Sequence, residues 1–262
     1  MKKYCFIFIT SVVFSQGVGI NISLIGHLPR GEFKEELKND SGIASNGWGI
    51  DVNGMFYVNE YFAIGLNGGN SIYGNSRRSI PFNFYTDLIS ITEETKNAIA
   101  YGHLFFKVVP FQTRVRPYFE GLIGLKNLNT RTRLFNENCT DDPDTDHDDC
   151  EIAESTNASD NAFSYGFGTG FEVVLIEPSN LKSDNNQQIE NNSLDSEHNN
   201  DFDGELSVIF SFRYLYGDEA RYLKEGSITF SNPADGPVQT SFNWSNSMTD
   251  LMQINIGLQV KF

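Results

Sequence analysis

The chain of 262 residues carries a formal charge of −15 and is 39% hydrophobic, with 22 Phe, 11 Tyr and 23 Gly. Such acidity repels a polyanion, which excludes nucleic acid as a partner, and the length fits one all-β domain without demanding a second. No uninterrupted apolar run is long enough for a membrane-spanning helix, so the apolar surface has to be distributed over strands.

Residues 1–15 read as a secretory signal, with Lys2 and Lys3 at its start, a short apolar core, and small residues around a cut after Ser15. Cys5 lies inside that core without a lipobox before it and is expected to leave with it. The mature domain is then expected over 16–262.

The first period-two segment is 18–26, with Ile20, Ile22 and Leu24 on one face and Asn21 and Ser23 on the other. A long link, 27–46, follows and holds His27, read there as a solvated loop histidine. Segment 47–58 sets Trp48, Ile50, Val52, Phe56 and Val58 against Asp51, Asn53 and Tyr57. After a tight link at Asn59 and Glu60, segment 61–69 sets Phe62, Ile64 and Leu66 against Ala63, Gly65 and Asn67. A second long link is expected at 70–97. Segment 100–108 sets Leu104, Phe106 and Val108 against Tyr101, His103 and Lys107. A short link at 112–114 leads to 115–125, where Val115, Phe119, Ile123 and Leu125 oppose Arg116, Tyr118, Glu120 and Gly124, with Lys126 following on the polar face.

A third long link is expected at 127–161 and carries the sharpest local motif. Cys139 and Cys150 are the two cysteines left after export, and an even count outside the cytoplasm favours a disulfide. Between them Asp142, Asp144, Asp146 and Asp148 recur at every second residue, a spacing whose carboxylates can wrap a hard cation such as Ca²⁺. The run departs from an EF-hand loop, having neither the glycine at the turn nor the closing glutamate, and the alternative is a solvated acidic tip closed by the disulfide.

Segment 163–175 sets Phe163, Tyr165, Phe167, Phe171, Val173 and Leu175 against Ser164, Gly166, Gly168, Gly170 and Glu172. The link 177–201 is rich in Asn, Asp, Ser and Gln and is expected to be disordered. Segment 205–216 sets Leu206, Val208, Phe210, Phe212, Tyr214 and Tyr216 against Glu205, Ser207, Ser211 and Arg213. In the fourth long link, 217–247, two alternating stretches flank Asn232 to Gly236 and read as a hairpin extending the last two strands. Segment 252–262 alternates without error, from Met252 to Phe262 on the apolar face against Gln253, Asn255, Gln259 and Lys261.

Eight such segments, short links on one side and long links on the other, predict an antiparallel up-and-down barrel, with ten strands as the alternative if 177–201 lies externally. Two features turn the apolar face outward, towards lipid. The polar face carries charges of both signs, Arg116, Glu120, Lys126, Glu172, Glu205, Arg213 and Lys261, which have to pair inside a lumen that side chains fill. The apolar face is aromatic near the strand ends, at Trp48, Phe56, Phe62, Phe163, Tyr165, Tyr214, Tyr216 and Phe262, as interfacial girdles require.

The stretches 61–66 (YFAIGL), 116–125 (RPYFEGLIGL) and 213–217 (RYLYG), with 219–223 (EARYL), resemble the small outer-membrane β-barrel family of the OmpA transmembrane domain and OmpX. The resemblance implies an eight-stranded transmembrane barrel with a plugged lumen, serving as anchor, adhesin or envelope component. It also implies that Phe262, an aromatic at the end of the last strand, is the signal read by the barrel-assembly machinery. The partners it implies are outer-membrane lipid and an extracellular or cell-surface ligand. No cofactor is expected beyond the Ca²⁺ candidate. The alternative function is a small pore, which eight strands disfavour. Catalysis is not expected: His103 falls on the inward face, and His, Ser and carboxylate do not gather at a recognisable spacing.

Overall fold

The computed structural model describes residues 17–38, 46–83, 86–136, 151–177, 204–224, 227–231 and 239–262. Among these residues, eight strands close an antiparallel barrel. They are β1 (Gly17–Pro29), β2 (Gly47–Asn59), β3 (Phe62–Asn83), β4 (Thr86–Val108), β5 (Val115–Asn136), β6 (Glu151–Ile176), β7 (Glu205–Gly217) and β12 (Leu251–Lys261). Each pairs with its neighbours in sequence, and β1 closes the ring against β12. Closure continues past the last strand, where Phe262 N–H donates to the Val18 carbonyl at 2.9 Å and Val18 N–H to the Phe262 carbonyl at 3.1 Å. A closed ring leaves no strand edge in the wall.

The two faces of the wall are chemically opposite, because side chains alternate along every strand. Outward lie Leu24, Trp48, Leu66, Phe119, Phe167 and Leu258, each more than half exposed. Inward lie Asp51, Lys126, Arg213, Glu172 and Gln259, all buried. Along the β6–β7 seam the register stacks Tyr165 on Tyr216, Phe167 on Tyr214 and Phe171 on Phe210. Aromatic pairs therefore run the length of this seam rather than only its ends. Opposite them, on the lumen side, stand Gly166, Gly168 and Gly170, whose missing side chains leave room for lumen groups.

Two expected loops are strand. Residues 70–97 are divided largely between β3 and β4, and 127–161 largely between β5 and β6, so these strands run 22 to 26 residues. At ~3.3 Å per residue that is roughly 70–85 Å, a little over twice the length a tilted strand needs to cross a bilayer. One-sided alternation stops near Leu125 because the outer face of the remaining wall turns polar, at Lys96, Asn129 and Arg131, while the inner face mixes buried Ile99 and Leu128 with buried Asn97 and Thr130. Pairing persists through β-branched Thr and cross-strand polar contacts, such as Thr95 with Thr132 at 3.0 Å and Asn157 donating to Thr132 at 2.6 Å.

The link 27–46 also carries structure. β1 continues to Pro29, so His27 is a buried lumen residue and not a loop residue, since the inward parity of Asn21 and Ser23 extends to it. A short helix, α1 (Gly31–Glu36), follows and buries Phe33, with Leu37 at its C-cap also buried. The link 217–247 contains β8 (Glu219–Tyr222) paired with β11 (Ser245–Met248), and β9 (Ile228–Ser231) paired with β10 (Gln239–Phe242). The expected hairpin is present as β9–β10, but the assembly does not extend the wall straight. It breaks at Asp218 and Thr249 and turns inward, leaving Tyr222 and Leu223 fully buried. Gly217 permits the break: a Cβ there would lie 2.1 Å from Thr249 Oγ1.

The signal segment 1–15, the cysteines 139 and 150, Asp142, Asp144, Asp146 and Asp148, His147 and His198 lie outside the described residues, as does nearly all of the link 177–201.

Candidate functional site: the filled lumen and the outer rim

The lumen is a stack of polar layers. Nearest the short turns, Arg116 on β5 donates to both oxygens of Glu205 on β7, at 2.5 and 2.9 Å. Beside it Lys107 pairs with Glu172, and Gln259 donates to Glu172 at 3.2 Å and to the Tyr57 hydroxyl at 3.1 Å. Lys261 sits over the Tyr57 ring at 4.2 Å and Lys107 over Tyr118 at 4.1 Å.

The middle layer is built around Arg213. Its guanidinium donates to Glu120 at 2.6 and 3.3 Å, to Asp51 at 3.3 Å and to Asn53 at 3.4 Å. Asp51 in turn accepts from Tyr101 at 2.6 Å, Asn67 at 2.7 Å and Asn53 at 2.8 Å. Charges this deeply buried persist only when their donors and acceptors are answered, and here several strands contribute to one network. Gly168 on β6 makes space for it: a Cβ there would lie 2.7 Å from Glu120 Oε1 and 2.9 Å from Arg213 Cγ.

The upper layer holds the histidines. His27 bonds Ser71 and, through Nε2, Gln253 at 2.6 Å. His103 contacts Ser164 at 3.0 Å and Asn67 at 3.3 Å. Lys126 donates to the Thr249 carbonyl at 2.6 Å, which pins the inward break of the β7–β12 connection.

The structure thus brings Glu120 to Arg213 and Arg116 to Glu205. Glu172 meets Lys107, Lys261 meets an aromatic ring, and Lys126 meets a backbone carbonyl. Sequence reasoning did not single out Asp51 and Lys107 as members of the network. Both carry the signal that marks the others, an inward parity on an alternating strand.

Above these layers an apolar lid closes the mouth. Phe33 of α1 packs edge-on against Tyr73 at 5.7 Å and Tyr222 at 5.2 Å, over Ile99, Leu128 and Leu251. The lid is tied down at its rim by Lys224 and Ser245, which donate to Glu36 at 3.3 and 3.2 Å, and by the Arg221 N–H, which donates to Asp160 at 2.8 Å. Burial pushes the Tyr222 hydroxyl up to about 12, partly offset by its hydrogen bond with Ser247 at 2.8 Å. The lid's trace in the sequence is no more than Phe33 and Leu37, an apolar i, i+4 pair around one turn of charged residues.

No group of three or more His, Cys, Asp or Glu that could hold a metal occurs among the described residues. No helix of the described residues is long and apolar enough to cross a membrane, which says nothing of a barrel.

No protein-family model matches the chain, and no curated protein sequence matches it. Among solved structures, the chain is similar to Neisserial surface protein A at 8% identity and a TM-score of 0.35, over 93% of this chain and 95% of that one. It is also similar to Ail, the attachment invasion locus protein of Yersinia pestis, solved with the heparin analogue sucrose octasulfate, at 11% identity and a TM-score of 0.33, over 94% of this chain and 99% of that one. Neither likeness identifies a ligand or an activity for this chain.

Proposed function

We propose that the chain is an integral outer-membrane barrel that anchors a rigid extracellular wall and lid, with a structural or surface-interaction role and no catalysis. One observation carries this reading: the barrel is apolar outside and charged inside. Leu24 is 68% exposed, Leu66 69% and Trp48 70%, whereas Arg213 is 3% exposed and Asp51 and Lys126 are fully buried. In water such an outer belt is a large uncompensated apolar surface, and in lipid it is the solvated face. Two of the three links on one end of the ring are short, at 60–61 and 109–114, with 177–204 as the exception, and the long walls and the lid stand at the other end, as in an outer-membrane barrel.

Lipid-facing residues and the barrel-assembly machinery, with Phe262 as its signal, are the partners of this reading, and export is through the cleaved segment 1–15. A surface ligand is expected on the extracellular wall. The role is not transport, since the layers from Arg116 to Phe33 fill the described lumen.

The test is fractionation of cells expressing the full chain. Recovery in the outer-membrane fraction, detergent-dependent solubility and a heat-modifiable shift on a denaturing gel are expected. Recovery as a monomer in water without detergent overturns the reading.

A further inference from the structure

The outer face of the extended β3–β5 wall, just beyond the apolar belt, carries a cleft of about 390 Å³ with a layered lining. Cross-strand register sets the layers. Trp48 pairs with Ile72, Ile72 with Ala98, and Ala98 with Asn129, so a mostly apolar row crosses four strands. One step further from the belt, Lys96 on β4 stands directly opposite Arg131 on β5. The next step sets Glu94 opposite Arg133, Arg133 opposite Glu154, and Arg77 opposite Glu94.

Lys96 and Arg131 facing each other is a like-charge cross-strand pair, which costs stability unless something answers it. Glu94 lies 3.3 Å from Lys96, and Glu154 lies 2.9 Å from Arg131 and 3.6 Å from Arg133. Among the described residues, Lys96, Arg131 and Arg133 thus stand together with Glu94 and Glu154 on one small face of a chain whose formal charge is −15. These side chains are partly exposed, so they reach solvent or a headgroup.

The geometry points to a binding site for the phosphate headgroup of an anionic lipid in the leaflet around this rim. Phosphate oxygens would be held by Lys96, Arg131 and Arg133, and acyl chains would lie over Trp48, Ile50 and Ile72. The order of the layers selects this ligand: a lipid has its charge outermost and its chains towards the belt, as the cleft does. Arginine at two of the three basic lining positions suits a phosphate, whose oxygens match the guanidinium fork. This inference rests on the membrane reading proposed above.

The test uses the full chain purified in detergent, with hexa-acylated diphosphoryl lipid A as the probe and native mass spectrometry as the readout. One bound lipid is expected. Binding should weaken about tenfold per guanidinium removed in R131Q and in R133Q, and it should also weaken in K96Q. Trp48→Ala should weaken binding without affecting any response to phosphate alone. Phosphatidylcholine should not occupy the site, and millimolar inorganic phosphate should not displace the lipid. Undiminished binding by R131Q/R133Q overturns the proposal, and so does displacement by inorganic phosphate, which would mark a plain anion site. A heat-modifiable shift reports folding of each variant. If R131Q/R133Q loses that shift, R131K/R133K decides, since it keeps the charge and should retain binding weaker than wild type and stronger than K96Q/R131K/R133K. A wild-type chain that needs no detergent sinks the membrane reading before any lipid is added.

Discussion

Arg213 on β7 and Glu120 on β5 form a forked ion pair over Gly168 of the intervening β6, with Nε and Nη2 donating to the two carboxylate oxygens at 2.6 and 3.3 Å. The same guanidinium reaches Asp51 on β2, so three strands that are not neighbours around the ring are tied at one level. Such a bridge sets how the wall can close, because each charge is satisfied only when all three strands are in register.

Removing one member leaves a buried charge without its partner. Arg213→Met should therefore destabilise the folded barrel by about 3–5 kcal/mol, and Glu120→Gln by a smaller amount because Arg213 keeps Asp51. The double replacement should cost clearly less than the sum of the two. Urea unfolding in lipid vesicles, followed by tryptophan fluorescence, measures this, and strict additivity would show that the pair is not coupled.

Gly168→Ala probes the space beside that pair. The new Cβ would press on Glu120 Oε1 and Arg213 Cγ at 2.7 and 2.9 Å, and displacing packed groups costs about 1–3 kcal/mol. In a Glu120→Ala background the same substitution should cost much less. An equal cost in both backgrounds would place the strain in the backbone of β6 instead.

The outwardly apolar belt of the barrel was legible because each strand there has one polar and one apolar face, and 252–262 or 205–216 states that alternation residue by residue. The same rule gave the inward position of Arg116, Glu120 and Arg213. Their partners were less legible, since which strands face each other across the lumen depends on the closure of the whole ring. The wall beyond Leu125 escaped for a simpler reason. Residues such as Arg131, Thr132 and Arg133 are polar on both faces of the wall, so their strand character is carried by pairing with β4 and β6 and not by a hydrophobic period. The lid escaped because Phe33 and Leu37 make only one helical turn, below the length at which periodicity separates from chance.

Phe33→Ala tests whether the lid is a unit distinct from the barrel. Loss of a buried Phe costs about 3–5 kcal/mol, and here the loss falls on contacts to Tyr73 and Tyr222. Amide exchange should accelerate in β8 and β11 while the β1–β12 and β5–β6 ladders stay protected. Planar-bilayer conductance should remain absent, because the Arg213 layer lies beneath. Channel openings in this variant would assign the seal to the lid.

Tyr222 gives the lid an alkaline limit. Burial against Phe33 raises its hydroxyl from the usual value near 10 to about 12, so the folded lid holds this proton more tightly than the unfolded chain does. The sign follows from linkage: the contribution is fully present below pH ~10 and is lost as pH rises from there through about 12. Exchange protection of β8 and β11 should therefore fall across that window in the wild type. Tyr222→Phe removes the titrating group together with the contact to Ser247, so its lid should be somewhat weaker at neutral pH and lose less protection between pH 10 and 12. Identical alkaline profiles in the two proteins would mean that the Tyr222 proton is not coupled to lid closure.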